Sequence, residues 1–155
     1  VKVNGKVENI NIVAGSYAEV NRVWKSGDVV ELDMPFEARL IESNPMVEES
    51  RNQVAVMYGP LVYCLEANDL PQGVNIHDVL IPSDIKLTPK ATTIENSKVV
   101  MLSGKAQLLK DNKWDGKLYR KKNNLTTDVE ISLVPYYAWN NRGNYDMSVW
   151  LRAAN

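Results

Sequence analysis

Residues 135–143, Pro-Tyr-Tyr-Ala-Trp-Asn-Asn-Arg-Gly, bring three aromatic rings, two amides and a guanidinium into one short stretch, with Tyr145 and Trp150 close behind. Flat aromatic faces stack on the apolar faces of sugar rings, and amide and guanidinium groups can bond sugar hydroxyls. Tyr136, Tyr137, Trp139, Asn140 and Arg142 are therefore the candidate ligand-binding residues. A second reading places Trp139 and Trp150 in the core, with their indole N–H groups satisfied locally. Both readings stay open at the level of sequence.

No catalytic constellation stands beside this stretch. The chain has one cysteine and one histidine, so a closed thiolate–imidazole metal site cannot be built from it. His77 lies in the polar run Asn75-Ile76-His77-Asp78 and reads as an exposed loop histidine. Cys64 sits inside an apolar strand, where a thiol behaves as a small hydrophobe with its pKa pushed up. Hydrolysis of a glycosidic bond needs two carboxylates at a set separation. Of the 19 acidic residues, no spacing selects two. Glu31, Asp33 and Glu37 read as one solvated strand face, and Glu48-Glu49 as a helical turn or loop. No residue is assigned to catalysis or to a metal.

Net charge is -1, from 18 basic and 19 acidic residues, which gives no overall attraction to nucleic acid or anionic membrane. The Lys117 to Lys122 cluster, with Tyr119 inside it, is too short to change that and reads as a solvated loop. No apolar run approaches the roughly 18–20 residues of a membrane-spanning helix.

The elements that must position these groups are strands. Gly59-Pro60-Leu61-Val62-Tyr63-Cys64-Leu65-Glu66 opens on a turn signal and continues as a strand. Leu61, Tyr63 and Leu65 point one way, and Val62 and Cys64 the other. A strand apolar on both faces belongs in the middle of a sheet, and Val54 to Tyr58 reads the same way. Residues 28–34 alternate, with Val30, Leu32 and Met34 on one side, and residues 36–40 continue that period beyond Pro35. Val1 to Lys6 reads as half of a hairpin turning at Asn4-Gly5. Val79–Ile81, Ile85–Leu87, Val99–Leu102, Ala106–Leu109 and Val129–Val134 are shorter strand candidates. No stretch of ten residues keeps a helical period. The expected fold is all-β: an antiparallel, jelly-roll-like β-sandwich with little or no helix. Residues 1–155 are read as one module, with a looser sub-domain at 68–127.

These pieces, taken in order, resemble the C-terminal region of glycoside hydrolase family 127, the β-L-arabinofuranosidase-like proteins once filed as domain of unknown function 1680. The resemblance is carried by Val3-Asn4-Gly5, Tyr17 to Trp24, Gly27 to Leu32, Arg51 with Ala55, Gly59 to Glu66, Pro135 to Gly143 and Val149-Trp150-Leu151. It implies a fragment of a larger, glycan-degrading protein that acts outside or just inside the cell. In that family a helical barrel precedes this region and carries catalysis, with a zinc-held cysteine nucleophile. No position here takes over that role, and no cofactor is expected in this chain. The partners implied are the catalytic barrel, a second copy through dimer contacts, and carbohydrate at the aromatic stretch. Contact with the barrel is a third reading of that stretch, since aromatics and arginine are enriched at interfaces.

Overall fold

A computed structural model of the chain describes residues 1–110, 114–122 and 125–154. The protein is built almost wholly from strands, with short 3-10 turns and no α-helix among the described residues. The all-β expectation holds, and the sheets are mixed but mostly antiparallel. The chain divides into two compact units, Val1–Phe36 and Glu37–Asn155, where the sequence reads as one module. The division falls just after Pro35, so the alternating pattern that crosses that proline does not form one strand.

In the first unit, β1 (Lys2–Val3), β2 (Lys6–Val7) and β3 (Val30–Glu31) form a small antiparallel sheet in the order β2-β1-β3. Asn4 and Gly5 take φ of +51° and +75°, as the two central residues of a type I′ turn must. The Asn4 side chain then ties this hairpin to the turn before β3. It donates to Asp28 Oδ1 at 2.8 Å and accepts from the Val29 N–H at 2.9 Å. The bond from Asn4, followed by the Lys25 N–H, holds the Asp28 carboxyl below its ordinary pKa. Residues 17–24 are not a strand. Val30, Leu32 and Met34 remain more than half exposed, so alternation here does not mark a buried face.

The second unit contains β4 (Ala38–Glu42), β5 (Gln53–Tyr58), β6 (Leu61–Glu66), β7 (Val79–Ile81), β8 (Thr88–Ile94) and β9 (Ser97–Leu109). It is completed by β10 (Thr126–Pro135), β11 (Met147–Ser148) and β12 (Leu151–Ala153). All nine join one sheet, in the order β11-β6-β10-β9-β7-β12-β5-β4, with β8 added on β9. Because β5 also pairs with β6, the ladder closes through β5, β6, β10, β9, β7 and β12. Among the described strands, β7 and β12 pair in parallel and the other pairs are antiparallel.

The main core lies on the inner face of that circuit. Val56, Tyr63, Leu65, Ile81, Leu102, Ile131, Leu133 and Leu151 meet there. Gly59 takes φ of +57° ahead of Pro60 in the two-residue loop joining β5 to β6, as a type II′ hairpin turn requires. Strand β6 is covered on both sides as its composition demands. Tyr63 and Leu65 enter the main core, and Cys64 enters a second cluster with Ile94, Val99, Val134 and Ala138.

Residues 68–127 do not stand apart, since their described part supplies β7, β8 and β9 to the common sheet. Val99–Leu102 and Ala106–Leu109 are parts of one long strand, β9. Gly104 lies within it, where a Cβ would come within 2.6 Å of the Lys86 carbonyl oxygen. The Lys86–Leu87 segment therefore crosses close to β9 instead of forming a strand. The strand that does form, β8, begins at Thr88 and carries Pro89. It pairs only with β9 among the described residues, and an edge tolerates a residue with no N–H to donate. Asn123 and Asn124, expected at a loop tip, lie outside the described residues.

Candidate functional site

The aromatic stretch leaves β10 at Pro135 and turns through a 3-10 turn, Tyr136–Ala138. Ala138 is buried in the second cluster and anchors that turn, while its neighbours face outward. Tyr136, Tyr137 and Trp139 are 47%, 61% and 36% exposed. The Tyr136 and Trp139 rings stack, with centroids 6.4 Å apart and planes inclined by 28°. Trp139 is thus a surface residue, which removes it from the core reading. Trp150 is partly buried. Asn140 takes φ of +64°, and Gly143, at φ of +123°, lies so close to Tyr145 that a Cβ would come within 2.8 Å of the ring.

Arg142 has a task that sequence reasoning missed. Its Nη1 donates to Asp69 Oδ1 at 2.8 Å and its Nη2 to Asp69 Oδ2 at 2.6 Å, a fork-on-fork pair. Its Nε donates to Glu66 Oε2 at 3.1 Å, and Nη2 reaches the same oxygen. Glu66, at the end of β6, is 1% exposed, and its Oε1 accepts the Asn140 N–H at 2.9 Å. Bonds to Asp69 and then to Glu66 raise the Arg142 guanidinium above its ordinary pKa, against the opposing effect of burial. Arg142 is therefore committed to two carboxylates, and Asn140 engages Glu66 through its backbone. Of the five sequence candidates, Tyr136, Tyr137 and Trp139 form the outward surface, while Asn140 and Arg142 hold the turn in place. The one signal for this was a glutamate closing an otherwise apolar strand.

Cys64 is fully buried, and its thiol donates weakly to the Val134 carbonyl at 3.7 Å. Burial, and then the negative charge of Glu66, push its pKa up to about 12. Burial likewise pushes Tyr63 up to about 12, and its hydroxyl donates to the Val100 carbonyl. An unfolded thiol ionises near 9.0 and an unfolded phenol near 10.0. Above those values the unfolded chain binds fewer protons than the folded one, so stability falls as pH rises. We expect the urea midpoint to drop from about pH 9 upward, and Cys64→Ala to remove the earlier part of that drop. A midpoint flat to pH 11 would contradict this.

His77 is exposed in the 3-10 turn Ile76–Asp78, and among the described residues no three His, Cys, Asp or Glu side chains converge as metal ligands. Glu31, Asp33 and Glu37 are exposed, but they do not share one strand face: Glu31 ends β3, Asp33 lies beyond it, and Glu37 opens the second unit ahead of β4.

The larger unit has a cleft of about 580 Å³ over the outer face of β9, β7 and β12. It lies apart from the aromatic turn and shares no residue with it.

Residues 38–152 match the family model described as the glycoside hydrolase family 127 C-terminal domain, and residues 1–36 match that of the β-L-arabinofuranosidase GH127 middle domain. The border between the two matches coincides with the border between the two compact units. A solved glycoside hydrolase is 52% identical over 99% of this chain, with a TM-score of 0.93. A GH127 β-L-arabinofuranosidase from Geobacillus stearothermophilus is 35% identical over 98% of it, with a TM-score of 0.84. The non-reducing end β-L-arabinofuranosidase of Bifidobacterium longum is 30% identical over 137 residues. The chain spans only 25%, 24% and 20% of the lengths of these three proteins. With the C-terminal model matched along most of its length, the chain belongs to glycoside hydrolase family 127, as its C-terminal domain preceded by a short middle-domain segment.

Proposed function

We propose that this chain is a non-catalytic accessory part of a family 127 glycosidase, which packs against the catalytic barrel and contributes to dimer contacts. The parent protein hydrolyses terminal β-L-arabinofuranosyl or related bonds. The observation that carries this reading is the match to the family's C-terminal domain by a chain that spans a quarter or less of its relatives. Two features support it. Glu66 and Asp69, the carboxylates bonded to Arg142 behind the aromatic turn, are held in that cluster and so are not an acid and base poised for a glycosidic oxygen. In the first unit Val7, Ile12, Tyr17, Val23, Leu32 and Met34 are 63% to 99% exposed. So dense an apolar surface on 36 residues is what a covering partner would bury.

The test compares the full-length parent with the 155-residue chain on a chromogenic β-L-arabinofuranoside. The parent is expected to turn over and the chain alone to be silent. Co-expression of this chain with the remainder of the parent should restore a complex that elutes as one species. Turnover by the chain alone, or failure of the two pieces to associate, would defeat the proposal.

A second reading, a carbohydrate-binding surface, is favoured by the exposed Tyr136–Trp139 stack. On that reading, calorimetric titration with arabino-oligosaccharides gives saturable binding. Trp139→Ala weakens it about tenfold or more, as loss of roughly 1.4 kcal/mol of stacking would. Absence of binding across the series leaves the accessory role alone.

A further inference from the structure

We propose that the cleft over β9, β7 and β12 is a binding site for a short neutral saccharide, held by uncharged side chains. Strand register builds its floor. Leu80 on β7 pairs with Gln107 on β9 and with Arg152 on β12, so the three side chains stand in one row across adjacent strands. Their neighbours Val79, Ile81, Ala106 and Leu151 enter the main core, which forces this row to the outer face. Leu109, two residues beyond Gln107, extends the same face and pairs with Thr126 on β10. Leu80, although on the outer face, is only 9% exposed, so the cleft has an apolar base with an amide and a hydroxyl beside it.

The charged groups around this floor are already answered. Arg152 donates from Nη1 to the His77 carbonyl at 3.3 Å, and the Arg120 guanidinium lies 4.4 Å from the centre of the Trp114 ring. Asp78 has a partner of its own. Lys122 is exposed at the rim, where its ammonium keeps its water. The uncharged groups stand differently. Gln107, Asn52 and Thr126 line the cleft with no side-chain hydrogen bond to another described residue. Amides and hydroxyls both donate and accept, which is what a sugar hydroxyl requires of its partners. Leu80, Leu109 and the half-exposed Trp114 ring supply apolar surface for the C–H faces of the sugar. A volume of about 580 Å³ is that of a small-molecule site and suits about two or three sugar units. An anion would find no uncommitted guanidinium here, and a wholly apolar ligand would cover Gln107 and Thr126 without satisfying them.

The probes are arabinotriose and cellotriose, a furanose and a pyranose, titrated calorimetrically into the 155-residue chain beside trigalacturonate. Saturable binding of a neutral trisaccharide is expected, with an affinity that holds as salt is raised and that trigalacturonate does not exceed. Gln107→Leu keeps the bulk of the side chain on the outer face and removes its amide. It should weaken binding about fivefold, as loss of one hydrogen bond would. Trp114→Ala, at a half-exposed position outside any strand, should weaken it by a similar factor. Far-ultraviolet spectra and urea midpoints establish that both variants are folded. Trp139→Ala should leave this binding unchanged, which separates the cleft from a carbohydrate surface at the aromatic turn. Silence of both neutral trisaccharides, tighter binding of trigalacturonate, or a neutral affinity that survives Gln107→Leu and Trp114→Ala in folded proteins would each overturn the assignment.

Discussion

Replacing Arg142 by alanine is expected to cost about 3–5 kcal/mol of unfolding free energy, the range for breaking a buried ion pair by removing one partner. The deciding quantity is the burial of Glu66, at 1% exposure. An exposed pair would be worth about 0–1 kcal/mol, because water replaces the lost partner. Here water cannot reach Glu66 freely, and Arg142→Ala leaves its Oε2 with no cation while Asp69 stands nearby with the same charge. Arg142→Lys should recover only part of the loss, since an ammonium cannot donate as a planar fork to both carboxylates. The double replacement Glu66→Leu with Arg142→Met removes charge and counter-charge together, and should be far less damaging than Arg142→Ala alone. Urea unfolding of the four proteins at neutral pH measures all of this. A loss below about 1 kcal/mol for Arg142→Ala would mean that the cluster behaves as a surface pair. The same variant should loosen the aromatic turn, because Asn140 donates to Glu66 and Tyr136 and Trp139 flank that anchor. A red shift of tryptophan emission would report it.

That cluster also shows where the sequence could and could not be read. Local rules sufficed for the Asn4-Gly5 turn, the Gly59-Pro60 hairpin and the doubly covered β6, because each depends on residues a few positions apart. The aromatic turn was visible as composition, but the task of Arg142 depends on Glu66 and Asp69, more than seventy positions away. No periodicity reports a pairing of that kind. Strand β8 escaped for a related reason: Thr88 to Ile94 is polar, carries a proline and is stabilised by pairing along β9, not by an apolar face of its own. In the first unit the error ran the other way. Val30, Leu32 and Met34 alternate as a buried face would, yet they are exposed. Alternation says which residues share a side, and only a partner element makes that side an interior. The row of Leu80, Gln107 and Arg152 was equally invisible, since it joins strands that are not neighbours in sequence.

Strand β6 carries the second large effect. Leu65→Ala is expected to cost about 2–5 kcal/mol, through lost transfer energy and the cavity left behind. Leu65 is fully buried, faces Leu133 across the β6–β10 ladder and pairs with Ser148 of β11, so three strands meet at its position. Such a site has little freedom to collapse around the gap, which places it toward the upper part of that range. Val62, on the opposite face and 36% exposed, supplies the contrast, since its truncation to alanine removes little buried surface and should cost less than about 1 kcal/mol. Urea unfolding of both variants separates two accounts of the same strand. If its composition reflects burial along its whole length, the two truncations cost alike. If the covering elements decide, the loss follows them: large at Leu65, where the closed ladder seals the inner face, and small at Val62, where the outer cover has not yet begun. Near-equal losses would mean that the second cluster, which starts at Cys64, reaches further toward the Gly59-Pro60 turn than the described packing shows.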